Sequence, residues 1–208
     1  MVQPAAHRST AQVRRRQVLR AATAVFARSG YYATTIDDVA QATGISQAYV
    51  LRLFGSKLGL FVSVVDECNK RIAAALADAA GQVSGGTPEA VLEAMYEAYA
   101  DLIADRSLIM IQVHAQSVTE VPEIRDAVRR GLAELVDSVK VRSGASDTQV
   151  QRVVAFGMLC QLIVAVDLDE LQLPWAQTLT DGIRDTHQVQ EGVIPSRDGV
   201  GRVDSPPA

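Results

Sequence analysis

The sequence predicts an all-α protein, a three-helix head followed by a larger helical body with about nine helices in all. Three observations carry this. Apolar residues make up 48% of the chain, yet they recur at helical spacing, and strand-like alternation is hard to find. Glycine and proline are sparse and fall between the periodic stretches. Serine, threonine or aspartate stands just ahead of several of those stretches, where helix N-caps belong.

Residues 1–12 are polar and basic, and are expected to form a disordered arm. Helix one runs through "QVRRRQVLRAATAVFARSG", with Val18, Ala22, Val25 and Phe26 on one face and Gly30 as its stop. Helix two is "TIDDVAQAT", capped by Thr34 or Thr35, with Asp37 and Asp38 in the first turn where the dipole favours acids. Ile36, Val39, Ala40 and Thr43 form its inner stripe. Gly44 supplies a turn, Ser46 caps helix three, and Val50, Leu53 and Phe54 are that helix's buried face. Ser56 caps a long helix four beginning at Lys57. Past "GQVSGGTP", Pro88 suits the start of helix five. Helix six is roughly "SLIMIQVHAQSV", Pro122 starts helix seven, Ser146 or Asp147 caps helix eight, and Pro174 opens a short helix nine. Residues 187–208, with their glycines and prolines, read as a disordered tail. The division is therefore 13–58 for the head and 59–186 for the body.

Composition narrows the function. The N-terminus lacks the apolar core of a secretory signal. The most apolar run, "VVAFGMLCQLIVAV", is short for a bilayer span and contains Gln161, which fits a buried helix. Cys68 and Cys160 are far apart and have no CxxC spacing, so neither a disulfide framework nor a zinc site is expected. A soluble, cytoplasmic protein that uses no cofactor or metal follows. Net charge is −4, but residues 1–60 hold eight Arg and Lys against two acids, a head of +6 on a body of −10. Either the head meets a polyanion or it is a solvated basic tail.

Helix two, the Gly44 turn and helix three make a helix-turn-helix. Ala40 and Ala42 are small where the helices cross, Gly44 tolerates positive φ, and Ile45 anchors the turn. With Val50, Leu53 and Phe54 turned inward, helix three shows Gln47, Ala48, Leu51 and Arg52, joined at its front by Tyr49. A polar, small and aromatic helix front suits entry into a major groove of DNA.

The segment "TTIDDVAQATGISQAYVLRLFGSKLGLF" resembles the DNA-binding segment of the tetracycline-repressor (TetR) family. The matching positions are Thr35, Val39, Ala40, Gly44, Ile45, Ser46, Val50, Phe54, Ser56, Lys57 and Leu60. The resemblance covers about residues 18–65; beyond it only the helical layout agrees. It implies a homodimeric, ligand-responsive transcriptional regulator, most often a repressor, bound to a double-stranded operator. Gln47, Ala48 and Tyr49, behind the Ser46 cap, would read bases; Thr35 and Lys57 would hold phosphates. This chain departs from the family at Leu51, where a phosphate-binding tyrosine is usual, and at Leu53, the next aromatic or His position. Arg52 or Tyr49 would have to compensate. Gly59 departs too, and is expected to loosen the first turn of helix four.

Each reading has a plainer rival. Tyr49 would otherwise lie against helix one, and Lys57 would be an ordinary helix-start lysine. Tyr31 and Tyr32 divide between packing and DNA-backbone contact, and Arg14–Arg16 read as a flexible arm. In the body, the resemblance implies a small-molecule effector pocket among helices four to eight and dimerisation through helices eight and nine. Met95, Tyr96, Tyr99, Met110, His114 and Phe156 are the candidate pocket residues, with core packing as the rival for each. His114 with Gln112 or Tyr99 would orient a polar group on an otherwise apolar ligand. An enzyme is disfavoured, because no glycine-rich phosphate loop, catalytic triad order or metal-ligand spacing is present. The remaining alternative is a helical ligand- or protein-binding module whose helix-turn-helix never touches DNA.

Overall fold

The computed structural model describes residues 5–83 and 85–184, without the side chains of residues 5–11, 182 and 184. Among these described residues there are nine α-helices, one short 3-10 turn and no strand. The expected tail, 187–208, lies outside them.

The head is α1 (Ala5–Ala33), α2 (Ile36–Thr43) and α3 (Gln47–Phe54). α1 already begins at Ala5, so helix replaces most of the expected disordered arm. Residues 5–11 contain alanines and neither glycine nor proline, and an existing helix extends cheaply through such a stretch. Gly30, at φ 72 and ψ 178, breaks α1 where the stop was expected, and one further turn continues to Ala33. Thr35 caps α2 in a full capping box with Asp38, and Gly44 ends that helix in the left-handed conformation at φ 65. Val39, Ala40 and Val50 are buried, but Ile45, Leu53 and Phe54 are only half-buried and Ala42 is exposed. The turn is therefore anchored mainly through α2 and Val50.

The body contains α4 (Lys57–Gln82), α5 (Pro88–Leu102), α6 (Arg106–Ser117), α7 (Pro122–Ser143), α8 (Asp147–Ala165) and α9 (Pro174–Arg184). Ser56 caps α4, Thr87 caps α5 with Pro88 in its first turn, and Ser146 caps α8 in a box with Gln149. α4 packs along α7 and α5, while α1 lies against α6 and α2. The core runs unbroken from head to body. Phe26 of α1 meets Phe61 of α4 edge-on at 4.8 Å, and Tyr31 meets Phe61 at 5.1 Å. Leu60, Leu76, Met95, Leu108, Ile111 and Ile124 are fully buried beyond them. Burying each such side chain contributes about 1.5–3 kcal/mol, so head and body have little freedom to part.

α8 corrects the bilayer argument made from the apolar run alone. The whole helix has 19 residues and is long and apolar enough to cross a membrane, by length and composition, with only a third of that stretch buried. Its buried face carries Val150, Val153, Gly157 and Cys160. Its open face carries Met158 and Leu162, continued by Val166 at the C-cap, each at least half exposed.

Candidate nucleic-acid interface and ligand cavity

Ser46 accepts the Tyr49 amide at 3.3 Å and so starts α3 with its first residues facing outward. Gln47, Ala48, Leu51 and Arg52 are exposed, and Val50 beneath them is buried. The Arg52 guanidinium stacks over the Tyr49 ring at 4.6 Å, which directs Tyr49 along the helix surface and not onto α1. Asp37 takes Gln47 Nε2 at 2.6 Å and Gln41 Nε2 at 2.7 Å. Two amide donors therefore satisfy the half-buried carboxylate and fix the Gln47 side chain. Asp38 accepts the Thr35 amide and hydroxyl, both at 2.7 Å. The Thr35 backbone bond, with the hydroxyl bond next, holds the Asp38 carboxyl below its ordinary range.

Lys57 is less free than the sequence suggests. Its Nζ donates to the carbonyls of Thr34 at 2.9 Å and Tyr32 at 3.2 Å, and stands 4.7 Å from the Tyr31 ring centroid. It clamps the end of α1 to the start of α4 with two of its three N–H groups. Arg15 is likewise no part of a loose arm. It donates to the Leu53 carbonyl at 3.0 Å and Ser63 Oγ at 3.2 Å, and lies over the Phe54 ring at 4.2 Å. Gly59 has a positive reason: a Cβ there would stand 2.3 Å from the Phe54 carbonyl oxygen, so only glycine permits the close α3–α4 corner. Tyr31 packs in the core, whereas exposed Tyr32 donates its hydroxyl to Glu120 Oε1 at 2.6 Å. The Arg15 contacts and the Tyr32–Glu120 bond escaped sequence reasoning, because each depends on partners far away in the chain.

A cavity of about 260 Å³ opens between α4, α6, α7 and α8, with α5 at its floor. Val65, Ile72 and Leu76 wall it from α4, Val128, Leu132 and Leu135 from α7, and Val153, Val154 and Met158 from α8. Of the six expected pocket residues only Tyr99 lines it. Met95 is fully buried core, Met110 is half-buried against that core, and Tyr96 and Phe156 stack edge-on with each other at 4.9 Å. Met95, Met110, Tyr96 and Phe156 fill the seams between helices and leave the void to other residues. His114 turns away to α1, where its Nε2 donates to the Ala27 carbonyl at 3.0 Å. Tyr99 gives its hydroxyl to Gln112 Oε1 at 3.0 Å, and burial pushes its phenol up to about 12. Gln112 thus pairs with Tyr99, and the expected grouping of His114 with either of them does not form, while Gln116 and Gln161 join the lining unforeseen. Both thiols, Cys68 and Cys160, are buried and pushed up to about 12 by desolvation.

Residues 18–64 match the profile of a family described as bacterial regulatory proteins, tetR family. No curated protein gives a significant match. Among solved structures, a tetR-family transcriptional regulator from Agrobacterium tumefaciens is 20% identical, with a TM-score of 0.65 over 84% of this chain and 95% of that one. FadR from Bacillus subtilis, in complex with stearoyl-CoA, is 16% identical, with a TM-score of 0.61 over 82% and 96%. The ketosteroid transcriptional regulator KstR2 of Mycobacterium tuberculosis is 22% identical, with a TM-score of 0.56 over 83% and 92%.

Proposed function

We propose, from the premise that this chain belongs through residues 18–64 to the tetR family of bacterial regulatory proteins, that it is a DNA-binding repressor released by a small effector. The observation that carries the DNA reading is the front of α3, where Gln47, Ala48 and Arg52 are exposed around a buried Val50. Gln47 and Tyr49 read base edges, while Thr35, Arg52 and the third N–H of Lys57 take phosphates. Leu51 supplies no hydroxyl, and the Arg52–Tyr49 stack stands in for it with a cation directed by an aromatic ring.

The open stripe of Met158, Leu162 and Val166 on α8 repeats every fourth residue and continues in Trp175 of α9, which is 55% exposed. A second copy of the chain covers it, giving a homodimer with two reading helices about 34–36 Å apart on a pseudo-palindromic operator. The effector is a small molecule with an apolar body, seated in the cavity of Tyr99 and Gln112. One of the similar structures, described as a ketosteroid transcriptional regulator, also concerns a largely apolar class of molecule. Selection from random duplexes with the full chain tests this reading. It should enrich a palindrome, and Tyr49→Ala should alter the selected sequence; enrichment of nothing favours a module that does not touch DNA.

A further inference from the structure

The polar side of the cavity consists of amides and one phenol. Gln116 Nε2 donates to Gln161 Oε1 at 3.0 Å, and Gln161 Nε2 donates to Gln112 Oε1 at 2.9 Å. The Tyr99 hydroxyl donates to the same Gln112 oxygen at 3.0 Å. Gln112 Oε1 thus has two donors, while the Gln112 amide nitrogen has no partner among the described residues and is not sealed off from the void. No Lys, Arg, His, Asp or Glu lines the cavity. Arg130 of α7, beside the lining Gly131, pairs with Asp66 of α4 at 3.1 Å and is not part of the lining.

We infer that the cavity selects uncharged effectors, apolar molecules with a carbonyl or hydroxyl oxygen that accepts from Gln112, and rejects carboxylates, amines and acyl-CoA esters. The inference rests on the cavity being the effector site. An ionised carboxylate brought here leaves water and meets no cation, a cost that neutral amide donors do not offset. A ketone or alcohol loses much less solvation and gains the free Gln112 N–H, with the Tyr99 phenol oxygen as acceptor for a hydroxyl. Reversing all three amides would turn the free Gln112 atom into an acceptor and leave the array uncharged, so neutrality does not depend on their orientation. The volume sets the size. An engineered cavity of about 150 Å³ holds benzene, so about 260 Å³ has room for two fused rings or a chain of comparable bulk.

Matched probes test this on the full-length protein. The first series is naphthalene, 2-acetylnaphthalene, 2-naphthalenemethanol, 2-naphthoate and 2-naphthylmethylamine; the second is decane, 2-decanone, 1-decanol, decanoate and decanoyl-CoA. Calorimetry and thermal-shift titration read the affinities. The ketone and alcohol of at least one series should bind tenfold or more tighter than its ions. Gln112→Leu should remove their advantage over the parent hydrocarbon, and Gln112→Arg should turn the preference toward the carboxylate. A carboxylate or CoA ester that binds wild type as tightly as its ketone overturns the inference and leaves the effector site standing. Binding of no probe in either series, hydrocarbons included, overturns the effector-site reading and the inference with it.

Discussion

Gly30→Ala is expected to destabilise the fold by about 1–4 kcal/mol. Gly30 sits at φ 72 and ψ 178, a region essentially reserved for glycine, and holding an L-residue there costs about 1–3 kcal/mol. The added Cβ would also stand 3.2 Å from His114 Nδ1. The imidazole must then shift by a few tenths of an ångström, which weakens its bond to the Ala27 carbonyl by up to about 1 kcal/mol. Urea unfolding followed by far-UV circular dichroism, at one fixed protein concentration, measures the sum. His114→Ala separates the two parts. In the double variant the contact is absent and the hydrogen bond is lost only once, so its cost should fall short of the two single costs by up to about 1 kcal/mol. A Gly30→Ala variant within about 0.5 kcal/mol of wild type would refute both the strain and the contact.

Gly59→Ala should lower the midpoint in the same assay, although alanine in a helix ordinarily gains about 1 kcal/mol over glycine, because the new Cβ meets the Phe54 carbonyl. Lys57→Met should cost about 1 kcal/mol of stability and reduce the salt slope of operator binding by about one unit; an unchanged slope would confine Lys57 to its clamp. Leu162→Glu should convert a dimer to a monomer in light scattering, and an unaltered mass would move the interface away from the α8 stripe. Tyr32→Phe should matter only in a defined pH window. The shared bond lowers Glu120 below 4.5 and raises Tyr32 above 10.0. The Glu120 contribution is present above 4.5 and lost as pH falls through its lowered folded value, and the Tyr32 contribution is present below 10.0 and lost as pH rises through its raised one. Unfolding titrations should show Tyr32→Phe less stable than wild type between those limits and equal to it in strong acid.

Much of the fold was legible because it is written locally. Thr35, Ser46 and Ser56 name helix starts, Gly30 and Gly44 name breaks, and Pro88, Pro122 and Pro174 open helices, each within a few residues of its effect. The outward face of α3 followed from the same periodicity. The cavity was not legible. A void is the place that bulky side chains leave empty, so distinctive residues such as Met95 and Phe156 pointed to packed seams instead. The better signal was Gln161, a polar residue inside the most apolar run of the chain, together with Gln112 and Gln116 one turn apart on α6. The clamp made by Lys57 was not legible for another reason: its carbonyl partners, Tyr32 and Thr34, lie more than twenty residues earlier in the chain, and no local pattern records that.

The placement of α6 ties the cavity and the helix-turn-helix head to one rigid element. Gln112 and Gln116 are four residues apart and face the cavity together. His114 lies two residues from each, about 200° around the helix from either, and holds the Ala27 carbonyl of α1. A ligand that displaces the glutamine face therefore moves the histidine face by the same amount, with no loop between to absorb it. α4 provides a parallel connection. Val65, Asn69, Ile72 and Leu76 line the cavity, and Lys57 at the helix start grips the end of α1. Because α6 and α4 both bond to the short stretch between Ala27 and Thr34, that stretch is where, under the proposed function, an effector's differential affinity for two arrangements would become a difference in head position. Gly30 lies at its centre in a conformation only glycine holds without strain, which places a constrained backbone position at the joint between the cavity-lining helices and the helix-turn-helix.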